Sequence, residues 1–259
     1  MVTFSLVTVC YNSARTLKRT IDSVLVQDSK DYEYIIIDGG STDGTVDLIK
    51  SYENVFNGRM SWVSESDRGI YDAFNKGIKR AKGLYIWLIN SDDYIEPHAL
   101  SEIQKLINVY NSHYPVISGA MNVRGADGSI EYKSVSSEAK AKKAYNMDDI
   151  GIKHPATLIP KHIYEEVGLY DERFHIVGDM DWFQRAYKMG VSFLFVNNVL
   201  TNMQNDGISN TYTYKVYKMR CDDMGLLLSK KFDNKVQKFF HYYRWNIRII
   251  ARFIKHKII

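Results

Sequence analysis

Acidic residues stand directly after three successive predicted strands, in an arrangement that could hold a metal ion and a phosphate. Asp38 follows one apolar strand, Asp67 follows the next, and the pair Asp92-Asp93 follows a third. Each acid alone has an ordinary explanation, because helix starts favour acidic or hydroxyl residues. Clustered carboxylates repel one another unless a hard cation lies among them, and Mg²⁺ or Mn²⁺ binds through one or two carboxylates plus substrate phosphates. The pattern therefore predicts a phosphate-binding crevice with a divalent cation.

The elements that would position these acids alternate between strand and helix through the first hundred residues. Strands are predicted at Phe4–Val9, Tyr34–Ile37, Ser61–Val63 and Leu84–Ile89, with helices at Ala14–Gln27, around Thr45–Tyr52 and at Ile70–Ala81. This alternation indicates a parallel sheet with helical crossovers. Ligands bind beyond the carboxyl ends of the strands in such sheets. The acids should therefore share one edge.

The second half of the chain predicts a more mixed arrangement. We expect a helix from Pro97 to about Tyr110, then a hairpin whose turn is Gly125-Ala126-Asp127-Gly128, and a polar, irregular connection over 136–150. The remaining predicted elements are a strand at Ala156–Ile159, helices at 160–167 and 179–189, and strands near Phe193–Val196 and Leu200–Met203.

Composition places the chain among ordinary globular proteins. It has 259 residues, of which 45% are hydrophobic and 25% charged, which argues against a disordered or collagen-like chain. The two cysteines, Cys10 and Cys221, cannot build a disulfide framework, so a reducing compartment is expected. The apolar segment Met1–Cys10 lacks a charged start and predicts a strand, not a signal peptide. No run reaches the roughly 18 apolar residues that a membrane span needs.

The net charge of +4 is unevenly distributed. Residues 235–259 carry seven Lys and Arg and no acid, which leaves 27 basic against 30 acidic residues in the rest. Apolar residues in this tail recur at spacings of three and four: Val236, Phe239, Phe240, Tyr243, Ile247, Ile250, Ile254 and Ile258. Arg244, Arg248 and Arg252 form a second stripe. The pattern predicts either a helix on an anionic membrane surface or a helix packed on the body with its basic face solvated, and no nucleic-acid motif is present.

Four segments resemble, in order and spacing, the motifs of family 2 inverting glycosyltransferases with the GT-A fold. They are Val7–Asn12, Ile37–Thr45, Ser64–Gly77 and Leu88–Asp93, and the resemblance extends over roughly residues 1–210. Bacterial members that build surface polysaccharides are particularly similar. The resemblance implies a Rossmann-like α/β domain over 1–212, a mixed sheet flanked by helices, followed by a basic helical segment over 213–259.

The resemblance also implies roles for individual residues. The residues expected to bind the donor nucleotide are Thr8, Cys10, Tyr11, Asp38, Asp67 and Asp92. Among them, Asp67 would read the base and Asp92 would lie near the ribose. Asp93 would hold Mn²⁺ or Mg²⁺, with Asp92 beside it. Asn90 stands where many relatives have a first Asp, so its contact with the nucleotide is left open.

The segment Val177–Arg185 resembles the family's catalytic-base motif, with Gly178 in place of the acid that usually precedes the base. Asp179 then falls on the base itself, and Asp181 is the alternative or a helix N-terminal charge. Inversion needs such a carboxylate, because the acceptor hydroxyl must lose its proton as it attacks.

Further contacts with the acceptor or the phosphates are expected at His154, Asp181 and Lys76. Each has a structural alternative: a buried hydrogen-bonding histidine, a helix-start charge and a solvated lysine, respectively. The loop Asp206-Gly207-Ile208-Ser209 resembles a family loop that folds over the donor phosphates, or is an ordinary glycine turn.

The predicted function is transfer of a sugar from a nucleotide donor, expected to be UDP-linked, to a hydroxyl of a glycan or lipid-linked glycan. We expect a cytoplasmic protein, peripheral on the cytoplasmic face of the inner membrane if the tail binds lipid. One alternative is a sugar-1-phosphate nucleotidyltransferase, although the loop Tyr11–Arg15 lacks the glycines typical of that class. Another is a non-catalytic glycan-binding or scaffolding subunit, against which the retained acids argue.

Overall fold

The computed structural model describes residues 2–110, 114–147, 151–205, 207 and 211–258, and their secondary structure is mixed α/β. The strands are β1 (Phe4–Cys10), β2 (Tyr32–Asp38), β3 (Met60–Ser64), β4 (Tyr85–Asn90), β5 (Tyr94–Ile95), β6 (Val116–Arg124), β7 (Ile130–Val135), β8 (Thr157–Pro160) and β9 (Phe193–Gln204). The helices are α1 (Leu17–Leu25), α2 (Thr45–Tyr52), α3 (Ile70–Arg80), α4 (Ala99–Tyr110), α5 (Glu138–Met147), α6 (Lys161–Val167), α7 (Gly178–Lys188), α8 (Tyr214–Lys231) and α9 (Lys235–Ile258).

The described strands form one sheet in the order β3-β2-β1-β4-β8-β6-β9-β5, with β7 paired to β6. The first four are parallel, as predicted, and their register aligns Cys10 with Asp38 and Asp38 with Ser64. The carboxyl ends of these strands therefore lie side by side. Every residue of β1 is buried, which is typical of a parallel strand covered by helices on both faces.

The second half of the sheet is mixed. β8 pairs antiparallel with both β4 and β6, whereas β9 runs parallel to β6. The predicted hairpin is confirmed as β6 and β7, with Gly128 at a φ of 81° in its turn.

Three details differ from the prediction. Residues 138–147 form α5 within the segment expected to be irregular. The two strands predicted near 193 and 200 are one strand, β9, with register shifts where it pairs with β6. Within the described residues, β5 pairs with the distant β9 alone. A strand of two residues is too short to carry a periodic signal in its own sequence.

Two hydrophobic clusters cover the two faces of the sheet. α1 and α4 contribute to one cluster, and α3, α6, α7 and α8 to the other. α8 packs in the same cluster as α3, α6 and α7, where its residues Met224, Leu227 and Leu228 are 2% exposed or less. α9 packs beside it through Tyr242, Trp245 and the buried Ile249. The C-terminal helical segment is thus present, and its boundary at residue 213 stays a prediction.

The close packing of α3 on the sheet predicts opposite effects of two glycine-to-alanine changes. A Cβ at Gly77 would overlap the Val7 side chain of β1, so Gly77→Ala should lower the free energy of unfolding by about 1–3 kcal/mol. A Cβ at Gly225 in α8 would meet open space among the described residues, so Gly225→Ala should raise it by about 0.5–1 kcal/mol. Urea denaturation of both variants is the measurement. A Gly77→Ala protein as stable as Gly225→Ala would contradict this packing.

Candidate active site

A cavity of about 770 Å³ opens at the carboxyl ends of β1 and β4, within the size range of small-molecule sites. Its lining includes Tyr11, Arg15, Asp67, Asn90, Asp92, Asp93 and Gln204. The predicted strand-end acids Asp67, Asp92 and Asp93 thus line one cavity, together with Cys10 and Tyr11.

Asp38 is the last residue of β2 and is fully buried. Its carboxylate accepts hydrogen bonds from the amides of Gly40 at 3.1 Å and Ser41 at 2.9 Å, and from the Ser64 hydroxyl at 2.6 Å. Burial alone would raise the pKa of Asp38, but hydrogen bonds from the Ser41 and Ser64 hydroxyls hold it below its usual value. The carboxylate holds the loop after β2 and is not among the residues that line the cavity, and its contact with a nucleotide stays a prediction.

The loop after β1 is fastened to the loop after β2. The Asn12 amide donates to Ser41 Oγ at 2.7 Å, and Asn12 Oδ1 accepts from the Thr42 amide at 2.9 Å. Asp43 accepts from the Ala14 amide at 3.1 Å. These bonds leave the Tyr11 side chain 64% exposed at the cavity. The two loops therefore act as one rigid rim that presents an aromatic ring.

The position of the Asp67 carboxylate depends on two glycines, Gly39 and Gly69. Its Oδ1 accepts from the Gly69 amide at 2.9 Å, and its Oδ2 lies against Gly39, where a Cβ would clash. Gly69 has a φ of 125°, which side chains rarely adopt. The glycines of both motifs thus leave room for the Asp67 carboxylate and fix it.

Asp92 and Asp93 occupy the turn after β4. Asp93 is 1% exposed, and its carboxylate accepts from Asn90 Nδ2 at 3.0 Å. Burial first, and the charge of Asp92 second, raise the pKa of Asp93 well above its usual value. The backbone of the turn is anchored by α1, since Thr20 Oγ1 donates to the Asp93 carbonyl at 2.6 Å.

The residues of this turn fit a divalent cation. Two adjacent carboxylates supply the oxygen ligands that Mg²⁺ and Mn²⁺ prefer, and a cation would offset their repulsion. Asn90 Oδ1 is buried without a hydrogen-bond partner beside them. Within the described residues no group of three His, Cys, Asp or Glu could hold a metal without help. The site therefore fits an ion that is shared with substrate phosphates.

Asp179 lies in the first turn of α7 and is half-buried. The amides of Gly178 and Asp179 donate to the Tyr71 hydroxyl at 2.8 and 3.3 Å, and the Met180 amide donates to Asp179 Oδ1 at 2.8 Å. Desolvation raises the pKa of Asp179 to about 6. It does not line the cavity itself; α3 joins the two, since Ile70 and Ala73 line the cavity and Tyr71 contacts Asp179.

The glycine at position 178, where an acid was expected, has a packing reason. A Cβ there would lie 2.7 Å from Tyr71 Cζ. The Tyr71 hydroxyl also donates to the Ile176 carbonyl at 2.8 Å. The contact of Tyr71 with the segment that carries Asp179 was not predicted from the sequence, although Tyr71 lies within the Ser64–Gly77 motif.

Two predicted site residues are buried away from the cavity, and their site roles stay predictions. His154 is buried among Phe74, Tyr170 and Phe183, its Nε2 lies 3.0 Å from Tyr170 Oη, and burial lowers its pKa to about 4. Thr8 is buried in β1, where its hydroxyl accepts from Tyr34 Oη at 3.0 Å. Neither lines the cavity, because both face the packed interior of the domain.

Two further predicted contacts are held in ion pairs. Lys76 pairs with Glu65 at 3.2 Å and with Asp72 at 3.4 Å. Asp181 is buried and pairs with Arg185 at 2.9 Å and with Lys230 at 2.5 Å. Neither side chain lines the cavity.

The glycine loop expected over the phosphates is only partly described. Asp206, Ile208 and Ser209 lie outside the described residues. Gly207 lines the cavity, and a Cβ there would approach Asp92 Oδ2 at 3.4 Å. Arg15 and Gln204 also line it and were missed, because no local pattern distinguishes a lone arginine or the end of a non-local strand.

Known proteins share this architecture. The sequence profile "Glycosyl transferase family 2" matches residues 5–185. A protein of Mycobacterium bovis (strain BCG / Pasteur 1173P2), named "PGL/p-HBAD biosynthesis glycosyltransferase", is 25% identical over 226 residues, which are 84% of this chain and 83% of that protein.

Two solved structures share the fold. S. aureus TarS 1–349 in complex with UDP-GlcNAc has a TM-score of 0.67 and 19% identity, over 98% of this chain and 72% of that one. This chain spans 43% of the longer TarS chain. The mannosyltransferase PcManGT from Pyrobaculum calidifontis, in complex with GDP-Man and Mn²⁺, has a TM-score of 0.65 and 14% identity. The match covers 97% of this chain and 73% of the PcManGT chain. The predicted GT-A fold is confirmed.

The environment of Asp179 predicts an unusual titration. Its carboxyl should gain a proton as the pH falls through about 6, and should be charged at pH 7 and above. Carboxyl ¹³C chemical shifts followed between pH 3 and 8 would measure this, and the resonance that is missing in Asp179→Asn identifies the residue. A midpoint near 4, the ordinary value for aspartate, would contradict the desolvated position.

Proposed function

Because the chain belongs to glycosyl transferase family 2, we propose that it moves a sugar from a UDP-linked donor to a hydroxyl of a glycan or lipid-linked glycan. We further propose inversion at the anomeric carbon and a place in cell-surface polysaccharide synthesis. The observation that carries the proposal is the cavity in which Asp67, Asp92 and Asp93 meet. Family membership disfavours the nucleotidyltransferase alternative. The turn that fits a divalent cation argues against a non-catalytic scaffold.

The donor nucleotide would lie on the rim formed by the first two loops. Tyr11 offers an aromatic ring to the base, and the Asp67 carboxylate can accept a ring N–H such as that of uracil. Asp92, which lines the same cavity, would accept a hydrogen bond from a ribose hydroxyl. TarS, with UDP-GlcNAc, and PcManGT, with GDP-Man, are neighbours with nucleotide-sugar donors. These contacts support a UDP-sugar donor, with Asp38 acting through the loop it holds.

Asp93, with Asp92 beside it, would hold Mn²⁺ or Mg²⁺. When bound, such an ion supplies charge stabilisation to the departing diphosphate. The chain's own part is to fix the turn: α1 anchors the Asp92 and Asp93 carbonyls through Arg19 and Thr20, and Asn90 orients the Asp93 carboxylate.

Asp179 would act as the general base. The acceptor hydroxyl must attack the anomeric carbon from the side opposite the nucleotide and lose its proton to a carboxylate within hydrogen-bond reach. The raised pKa of Asp179, about 6, leaves the carboxylate charged at neutral pH and a stronger base than an ordinary aspartate. The competing candidate, Asp181, is occupied by Arg185 and Lys230.

A donor screen tests this function. UDP- and GDP-sugars offered with Mn²⁺ or Mg²⁺ should give sugar release or transfer with a UDP-sugar, and EDTA should abolish it. Asp179→Asn should lower turnover at least about 100-fold, since general-base catalysis contributes 10²–10⁴, while UDP binding is retained. Glu166→Gln, which changes an exposed acid on α6, is the matched control.

Full turnover in Asp179→Asn would refute the base assignment. Release that proceeds unchanged in EDTA would refute the metal assignment. A protein that turns over only a GDP-sugar would overturn the choice of uracil nucleotide.

We also propose that α9 binds an anionic membrane surface, in keeping with a lipid-linked acceptor. No helix in the described part of the chain is long and apolar enough to span a bilayer. The stripe of Val236, Phe239, Phe240, Tyr243, Ile247, Ile250 and Ile254 is 44–65% exposed. A different face, with Tyr242, Trp245 and Ile249, packs on the body. The stripe found in the sequence is therefore the face left open.

Charge favours lipid over a second protein copy as the occupant of this stripe. Arg244 and Arg248 continue the i, i+4 row of Phe240 along one edge of the stripe and are exposed. Pairing two copies through the stripe would bring these arginines together, and residues 235–259 contain no acid to pair with them. An anionic leaflet supplies the missing charge, at about 1 kcal/mol per basic side chain near the surface.

Vesicle binding tests this surface with the full chain. The double change Phe239→Ser and Ile247→Ser should weaken binding to phosphatidylglycerol vesicles at least about 10-fold, because apolar burial is lost. Val109→Ser, at an apolar residue of α4 that is 76% exposed, is the control and should bind as the wild type. Equal binding to uncharged phosphatidylcholine vesicles, or a stable dimer that the double variant dissolves, would count against lipid.

A further inference from the structure

Five consecutive backbone amides, those of residues 175–179, are held by two side chains from other elements. The amides of His175, Ile176 and Val177 donate to the Asp223 carboxylate at 3.0, 2.6 and 3.0 Å. The amides of Gly178 and Asp179 donate to the Tyr71 hydroxyl at 2.8 and 3.3 Å. The segment that enters α7 therefore has its N–H groups fixed one after another up to Asp179.

Asp223 is well placed to hold this segment rigidly. It lies on α8, is 1% exposed, and is followed along the helix by the buried Met224 and Leu227. Its Oδ1 also lies 3.1 Å from His175 Nδ1. Buried carboxylates are costly unless hydrogen-bonded, and hydrogen bonds from amides to a charged acceptor are about twice as strong as neutral ones.

α8 also forms ion pairs with residues before and after segment 175–179. Lys230, two turns further along α8, lies 3.2 Å from Asp171 and 2.5 Å from Asp181. Asp171 lies four residues before His175, and Asp181 follows Asp179 by two residues. α8 is thus tied to the loop before Asp179 and to the helical turn after it.

We propose that Asp223 is a positioning residue for the reaction, which sets the place of the Asp179 carboxylate by holding the three amides before it. The proposal rests on the proposed function, in which Asp179 is the general base. It assigns to α8, which lies beyond the family match over residues 5–185, a part in the chemistry.

Asparagine cannot replace Asp223 in this role. Two carboxylate oxygens accept from three amides and an imidazole, whereas an asparagine side chain has one acceptor oxygen and an NH₂ that would face N–H donors. The segment should then shift, and a misplacement of about 1 Å can lower turnover about 100-fold. None of the described residues that line the donor cavity lies in segment 175–179 or on α8, so donor KM should stay the same.

The charge of Asp223 gives a second readout. The ionisable groups that face Asp179 are Asp223 on α8, Lys153 before β8, Tyr71 on α3 and Tyr170 in the loop before α7. After burial, the Asp223 charge contributes to the raised pKa of Asp179, while Lys153 opposes it. Removing the Asp223 charge should move the acid limb of the turnover profile below pH 6.

The experiment compares Asp223→Asn with Asp222→Asn, which removes the same charge from the exposed neighbour on α8. Hydrogen exchange of peptides covering 175–179 is measured by mass spectrometry, and turnover of the UDP-sugar accepted by the wild type is measured between pH 4.5 and 8. We expect faster exchange, turnover lowered about 10–100-fold, unchanged donor KM and a shifted acid limb in Asp223→Asn alone.

Unchanged exchange over 175–179 in Asp223→Asn would overturn the proposal, whether or not a donor is found. So would faster exchange that leaves turnover and the acid limb as in the wild type. Asp179→Asn, assayed beside it, separates the two claims: full activity there defeats the base assignment, whereas an inactive Asp179→Asn with a normal Asp223→Asn defeats only the positioning role.

Discussion

Hydrogen bonds from backbone amides to carboxylates hold the functional edge of this protein together. The loops beyond the parallel strands have no neighbouring strand to pair with, so their N–H groups need other acceptors. Asp38 accepts from Gly40 and Ser41, Asp67 from Gly69, and Asp223 from the segment before α7. Each bond fixes a loop and offsets the cost of burying a charge. Asp38 and Asp67 hold the loops at the cavity, whereas Asp223 holds the segment that leads to Asp179.

The remaining acids stand out by contrast. The pKa of Asp38 is held below its usual value by the hydrogen bonds it accepts, whereas the pKa values of Asp93 and Asp179 are raised by burial. Burial raises the pKa of these two carboxylates more than their hydrogen bonds lower it. Binding of a cation or a proton would therefore stabilise them. Perturbed acids of this kind cluster at functional sites. The division separates acids that build the site from those proposed to act in it.

Local patterns predicted what depends on neighbours in sequence. The parallel strands, the β6–β7 hairpin and the strand-end acids followed from periodicity and turn residues, and the motifs indicated the family. What the sequence could not predict depends on distant partners. The burial of His154 depends on Tyr170 and Phe183, which pack around it, and the ion pair of Asp181 depends on Lys230. Asp223 lies 46 residues or more from the amides it holds, and no spacing rule links them.

For the C-terminal helices too, the sequence could not predict contacts between distant residues. Periodicity found the apolar stripe of α9 but could not say whether that stripe packs on the body, because a second apolar face of the helix does so instead. That second face joins α9 to α8, where Tyr217 Oη donates to Asn246 Oδ1 at 2.9 Å. α8 in turn holds the segment that carries Asp179. A surface that receives α9 would therefore fix the orientation of the proposed base relative to that surface, through two packed helices.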